Sequence, residues 1–264
     1  MDRRIGLILC LLLIIAAFVP LTLSVYARRS GEKPPLERRV FIHYRRGFGK
    51  PEGTPGRGPP LKEEDHSKHY RLLGKGVKWK DTPVVYYIDP DNPQGLDAEF
   101  ICEAIFLAAE EWDEGLYSQL TGSETGWGGV SIELFADDFV VIYDATFDTD
   151  APDGRNEILF GDYPEEGVIA VTVVWGYFSG PPSEREIIEF DIMFDIDYLW
   201  GDADVDSGVM DLQNIATHEL GHGIGLDDYY QCELETMYGY STYGETIKRD
   251  LYYGDIAGVQ ELYG

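Results

Sequence analysis

The stretch His218-Glu219-Leu220-Gly221-His222-Gly223-Ile224-Gly225-Leu226-Asp227-Asp228 constrains this chain more than any other. A helix repeats about every 3.6 residues, so His218 and His222 fall on one face, one turn apart, where both imidazoles reach the same point. Two histidines at that spacing, with a glutamate after the first, suit a metal ion held on a helix with Glu219 directed at a water beside it. Gly225, three residues after His222, allows a sharp turn at positive φ, which glycine adopts at little cost. Asp228 then arrives six residues after His222 as the third donor, with its neighbour Asp227 as the alternative. Two imidazole nitrogens and a carboxylate oxygen are donors that zinc accepts.

The residues around this stretch extend the pattern. His218 to Asp228 resembles the extended zinc motif of the metzincin metalloproteases, and Glu235-Thr236-Met237-Tyr238 is similar to the methionine turn that lies beneath their zinc. Met210 to Thr217, Ile188 to Phe194 and the closing Gly254 to Gly264 resemble the matrixin branch, and Val77-Lys78-Trp79 with Val84 to Ile88 resembles its first strand. The resemblance covers residues 76–264. It implies a secreted or surface-tethered zinc endopeptidase with one catalytic zinc on His218, His222 and Asp228. Glu219 would be the general base and Met237 the turn methionine. It also implies that Val168, Ile169, Ala170 and Val171 form the edge strand to which a peptide or protein substrate adds. Tyr238 and Tyr240 would wall the specificity pocket. The sequence departs from the pattern twice: Asp228 stands where most matrixins have histidine, and Gly239 replaces the usual proline.

Charge divides the chain. Of its net charge of −27, residues 28–80 contribute +9 and residues 81–264 contribute −37. An acidic field of that size excludes nucleic acid as a partner of the C-terminal part. It also opposes compaction, so bound calcium, salt or a low working pH is expected to offset it. Residues 1–27, with Arg3 and Arg4 ahead of an apolar run from Ile5 to Leu23, read as a signal peptide cut after Ala27 or as an uncleaved anchor. The anchor would be the only contact with a membrane. Residues 28–75, basic and rich in Gly and Pro, read as a linker or pro-segment that docks on its own acidic domain or on an anionic surface. Matrixin pro-segments place a cysteine on the zinc, but no cysteine lies between Cys10 and Cys102. His66 or His69 is the available substitute. Cys102 and Cys232, an even pair in an oxidising compartment, are expected to form a disulfide.

Residues 76–264 read as an α+β domain, a metzincin-like catalytic domain with one mixed twisted sheet, helices on one face, a zinc helix and a methionine turn. Strands are expected at Val84–Ile88, Ile132–Leu134, Phe139–Tyr143, Ile158–Phe160, Gly167–Trp175 and Glu186–Phe194. Helices are expected from Asp97 to about Gly115, from Met210 to Gly223 and from Gly254 to Tyr263. Two acidic loops are candidates for calcium, since alternating aspartates offer the oxygens a hard cation takes. One carries Asp148, Asp150 and Asp153, and the other Asp202, Asp204 and Asp206. The domain is read as a monomer. The competing reading is a surface protein whose zinc stabilises the fold or a partner contact without catalysis.

Overall fold

Val168–Tyr177 is almost wholly apolar, and a strand of that kind is stable only where both faces and both edges are covered. The computed structural model describes residues 33–49, 66–114 and 133–264. The expected signal segment 1–27, the Gly/Pro-rich stretch 50–60, Gly115 and Ile132 lie outside the described residues. The strands are β1 (Glu37–Arg45), β2 (Arg71–Leu72), β3 (Tyr87–Ile88), β4 (Val140–Val141), β5 (Glu157–Gly161), β6 (Val168–Tyr177), β7 (Glu186–Asp195), β8 (Trp200–Gly201), β9 (Met210–Asp211), β10 (Leu226–Asp227) and β11 (Tyr240–Ser241). The helices are α1 (Ala98–Glu114), α2 (Leu212–Gly223) and α3 (Tyr253–Tyr263). A mixed seven-stranded sheet runs β11-β1-β6-β7-β5-β3-β4, and the α+β class holds.

Three features differ from the sequence-based expectation. Residues 28–75, read as a basic linker or pro-segment, contain β1, a nine-residue strand antiparallel to β6 and parallel to β11. Residues 37–45 and 71–72 therefore pair within structure that the boundary at residue 76 left out. For the same reason β6 is not an edge: β1 covers one side of it and β7 the other. The short strands are also shorter than their apolar stretches. Val84 makes only an isolated bridge to Phe135, and regular pairing begins at Tyr87.

The core lies between the sheet and the helices. Phe190 and Phe194 from β7, Ile101, Ile105 and Trp112 from α1, and Ile215 and Leu220 from α2 are buried together. Trp112 Nε1 donates to the Thr217 carbonyl at 2.7 Å, which fixes α1 against the helix bearing the two histidines. Asp113 accepts from the backbone of Leu134 and Phe135 and so ties the end of α1 to the chain that follows. Asp211 caps α2 by accepting from Asn214 N. At its other end Trp79 Nε1 donates to Gly223 O and Tyr263 OH to Ile224 O, satisfying carbonyls that a helix terminus leaves open. Gly225 then turns the chain at φ +108, and an added Cβ would lie 2.7 Å from Val77 O.

Candidate active site

The turn at Gly225 brings Asp228 back beside the helix. His218 Nε2 and His222 Nε2 lie 3.1 Å apart, and Asp228 Oδ1 sits 3.4 Å from the first and 3.7 Å from the second. Each ring's other nitrogen faces a backbone carbonyl: His218 Nδ1 donates to Thr236 O at 2.7 Å and His222 Nδ1 to Leu226 O at 3.0 Å. A carbonyl only accepts, so Nδ1 carries the proton on both rings and Nε2 carries none. Burial lowers both imidazoles to about 3, so they are neutral. Asp228 Oδ1 is buried with no hydrogen-bond donor. Three buried lone pairs thus converge with no proton between them, a donor set that fits a zinc ion. Asp227 points elsewhere, into an ion pair with Arg71 at 3.0 Å.

Second contacts hold these groups in place. Tyr230 OH donates to Asp228 Oδ2 at 2.9 Å. Met237 is buried under α2, where a Cβ on Gly221 would come within 2.3 Å of its sulfur. Thr236 and Met237 both donate backbone N–H groups to Asp255 on α3, fixing the turn that receives His218. Gly239 opens the space that Asp228 uses: its Cβ would lie 2.7 Å from Asp228 Oδ1.

Glu219 is fully buried, and burial raises its carboxyl to about 8, opposed by a hydrogen bond from Thr172 on β6. Its second oxygen is 3.0 Å from His43 Nδ1. His43 comes from β1, and its Nε2 lies 3.0 Å from Ser241 Oγ on β11. Its ring sits 4.0 Å from that of His218, and Phe41 stacks on His222 at 4.0 Å with 10° between planes. Lys248, wholly buried, donates to Ser241 Oγ at 2.8 Å and to Tyr240 O at 3.0 Å and so fixes β11.

The sequence reading named neither His43, Thr172, Tyr230, Ser241 nor Lys248. Tyr230 alone left a signal, being two residues beyond Asp228. His69, one of the two histidines proposed to reach the metal, instead faces Glu235 at 3.3 Å and stacks on Tyr229, while His66 opens a short 3-10 turn. Val168 and Val171 pack beneath Tyr44 of β1, and Tyr240 sits beside the same cluster, so these expected substrate residues meet β1. Tyr238 joins Tyr230 and Tyr240 in a ring cluster with centroids 5.4–6.5 Å apart.

Other expectations are corrected. Cys102 and Cys232 are free thiols, not a disulfide. Cys102 belongs to α1, whereas Cys232 lies within 4.8 Å of ligand atoms of His69 and Glu235. The cation gathered by Asp202 and Asp204 is Arg249, at 2.7 and 2.9 Å, and the same guanidinium reaches Asp211. Asp206 instead accepts from Gly208 N. In the first acidic loop, Asp148 and Asp153 converge with Glu189 of β7, not with Asp150. Asp162, Asp195 and Asp197 form a further acidic group.

Comparison with known proteins agrees with this geometry. Residues 176–264 match the peptidase family described as matrixin. The chain is 28% identical to human matrix metalloproteinase-16 over 201 residues, 75% of this chain and 29% of that protein. The mouse protein of the same name gives 29% over 199 residues, again 75% of this chain and 29% of its own. Rat matrilysin is 43% identical over 76 residues, 28% of this chain and 27% of that one. The chain thus spans less than a third of the length of these relatives. The geometry of the helix bearing His218 and His222, the family match over residues 176–264 and these relatives together support a matrixin-like metalloprotease domain.

Proposed function

We propose that this chain is a zinc-dependent endopeptidase, with His218, His222 and Asp228 as metal ligands and Glu219 as general base. The observation carrying the proposal is the meeting of three proton-free buried donors beside a buried carboxylate. Zinc in that position would supply a Lewis acid that polarises the scissile carbonyl and makes a nearby water more acidic. Glu219 takes the proton from the attacking water and delivers it to the leaving nitrogen. A carboxyl whose affinity for protons is raised by burial suits both halves of that transfer. Thr172 holds the Glu219 side chain in one orientation. Tyr230 holds Asp228, and the Thr236 carbonyl fixes the tautomer of His218. The substrate class is an extended peptide lying along β6, and the N-terminal apolar run supports placing the domain outside the cell.

A purely structural metal would have no use for a buried, oriented glutamate next to its ligands, which favours the catalytic reading. The test is zinc content and chelator-sensitive cleavage of an unfolded protein by the full chain, with and without Glu219→Gln. Because β1 covers the site, the same pair is also made on a His43→Ala background. The glutamine variant is expected to keep one equivalent of zinc and lose at least a hundredfold in rate. Comparable rates in both would remove Glu219 from the mechanism.

A further inference from the structure

We propose that residues 37–45 are a tethered pseudosubstrate, seated in the peptide groove and holding it closed through His43. This deepens the peptidase reading and rests on it. A groove that admits a peptide needs a free strand edge and an accessible base, yet Glu219 has no solvent exposure and the edge of β6 is paired along its length. Both are covered by the same nine residues.

The course of β1 is that of a peptide crossing a groove. From Glu37 to His43 it pairs antiparallel with β6, from Gly176 to Ala170. The register breaks between His43 and Tyr44, where the partner jumps from Ala170 to Val168. Parallel pairing with β11 begins at that point, Tyr44 facing Tyr240 and Arg45 facing Ser241. The changeover from one wall to the other therefore falls between His43, whose side chain meets Glu219, and Tyr44. Alternate side chains of β1 divide between the two faces. Phe41 and His43 turn to the zinc helix, covering His222 and meeting Glu219 and His218. Tyr44 turns the other way, packing on Val168 and Val171 and donating to Glu165 at 2.8 Å.

His43 closes the site in two ways. Its ring occupies space over His218, and its nitrogen takes the oxygen of Glu219 that would otherwise meet a water. No thiol takes part, in keeping with the lack of cysteine between Cys10 and Cys102. Charge adds to the fit: Arg38, Arg39 and Arg45 bring a basic strand to an acidic domain, and Arg46, just past its end, pairs with Glu233 at 3.2 Å. The occupant also describes the ligand class: extended, basic peptides with an aromatic side chain just after the residue that meets Glu219.

The test uses the zinc-loaded full chain in its natural form and as His43→Ala and His43→Gln. The probes are a short peptide hydroxamate, which needs access to zinc but no turnover, and amide hydrogen exchange across residues 168–177. The natural chain is expected to bind the hydroxamate at least tenfold more weakly than either variant and to protect 168–177 more strongly. Synthetic peptide 37–45 added to His43→Ala should displace the hydroxamate, and the same peptide with alanine at position 43 should do so at least tenfold less well. Equal hydroxamate affinity in the natural chain and the variants overturns the proposal, as does loss of cooperative unfolding in both variants, which would make β1 a structural strand. Variants that gain hydroxamate binding yet cleave nothing uphold the pseudosubstrate and remove the peptidase reading. Cleavage by all three chains with equal hydroxamate binding does the reverse.

Discussion

Gly239 lies against Asp228, one of the proposed metal ligands, and the position of that aspartate depends on it. A Cβ there would lie 2.7 Å from Asp228 Oδ1 and 2.6 Å from the ring of Tyr230, so alanine must displace one or both. The sequence presented Gly239 only as a missing proline; the structure links it to the other departure, the aspartate in place of histidine. Gly239→Ala and Tyr230→Phe are both expected to weaken zinc retention by about 10–100-fold, the usual cost of disturbing a ligand's support. A competition titration with a chromophoric chelator measures it. Unchanged affinity in Tyr230→Phe would mean that the 2.9 Å hydrogen bond does not orient Asp228. At this scale the site was half legible. His218, Glu219, His222 and Asp228 sit within eleven residues, so helix geometry alone could assemble them. Thr172 and Lys248 come from distant strands and turns, and no local spacing announces them.

Among the elements, the long ones were readable and the short ones were not. β6 carries ten almost wholly apolar residues, β7 sets its apolar residues between four acidic ones, and α1 shows the repeat of a helix packed on one side, while α2 is buried nearly all round. β1 was hidden because its apolar content is only Val40 to Tyr44 between arginines, and its partner begins more than a hundred residues later. A strand whose stability comes from pairing gives a weak local signal. α2 and the methionine turn supply a sharper test of packing. Gly221→Ala would place a Cβ 2.3 Å from the Met237 sulfur and 2.7 Å from Trp112. Alanine gains helix propensity, but overpacking costs about 1–3 kcal/mol and should dominate. Urea unfolding of the variant checks this, and a net gain in stability would show that Met237 gives way freely.

Across the whole molecule, acidic groups are buried as well as spread over the surface. Burial raises Asp113 and Glu189 to about 7 and Asp191 to about 8, against ordinary values near 4. Each of these three carboxyls therefore holds more proton in the folded chain than in the unfolded one between roughly pH 4 and 8, and its contribution to stability falls as pH rises through that window. The buried imidazoles of His218 and His222, lowered to about 3, act in the opposite sense below about pH 6.5. The unfolding temperature is expected to be higher at pH 5 than at pH 8, and the opposite order would show these carboxyls ionised in the fold. Calcium should raise the pH 8 value through Asp148, Asp153 and Glu189 and lose its effect at pH 5, where protons occupy Glu189. Calorimetry across pH, with and without the ion, reads both.

Helix α2 is gripped at its start by Arg249, which holds the capping Asp211, and along its second half by the groups gathered around His218, His222 and Asp228. A guanidinium is part of the chain and cannot be stripped by a chelator, but its exposed contacts with Asp202 and Asp204 weaken as salt screens them. Metal removal would leave the Asp211 cap and the Trp79 and Tyr263 bonds in place at the two ends of the helix, and salt would weaken only the outer contacts of Arg249, so neither reagent alone is expected to release it.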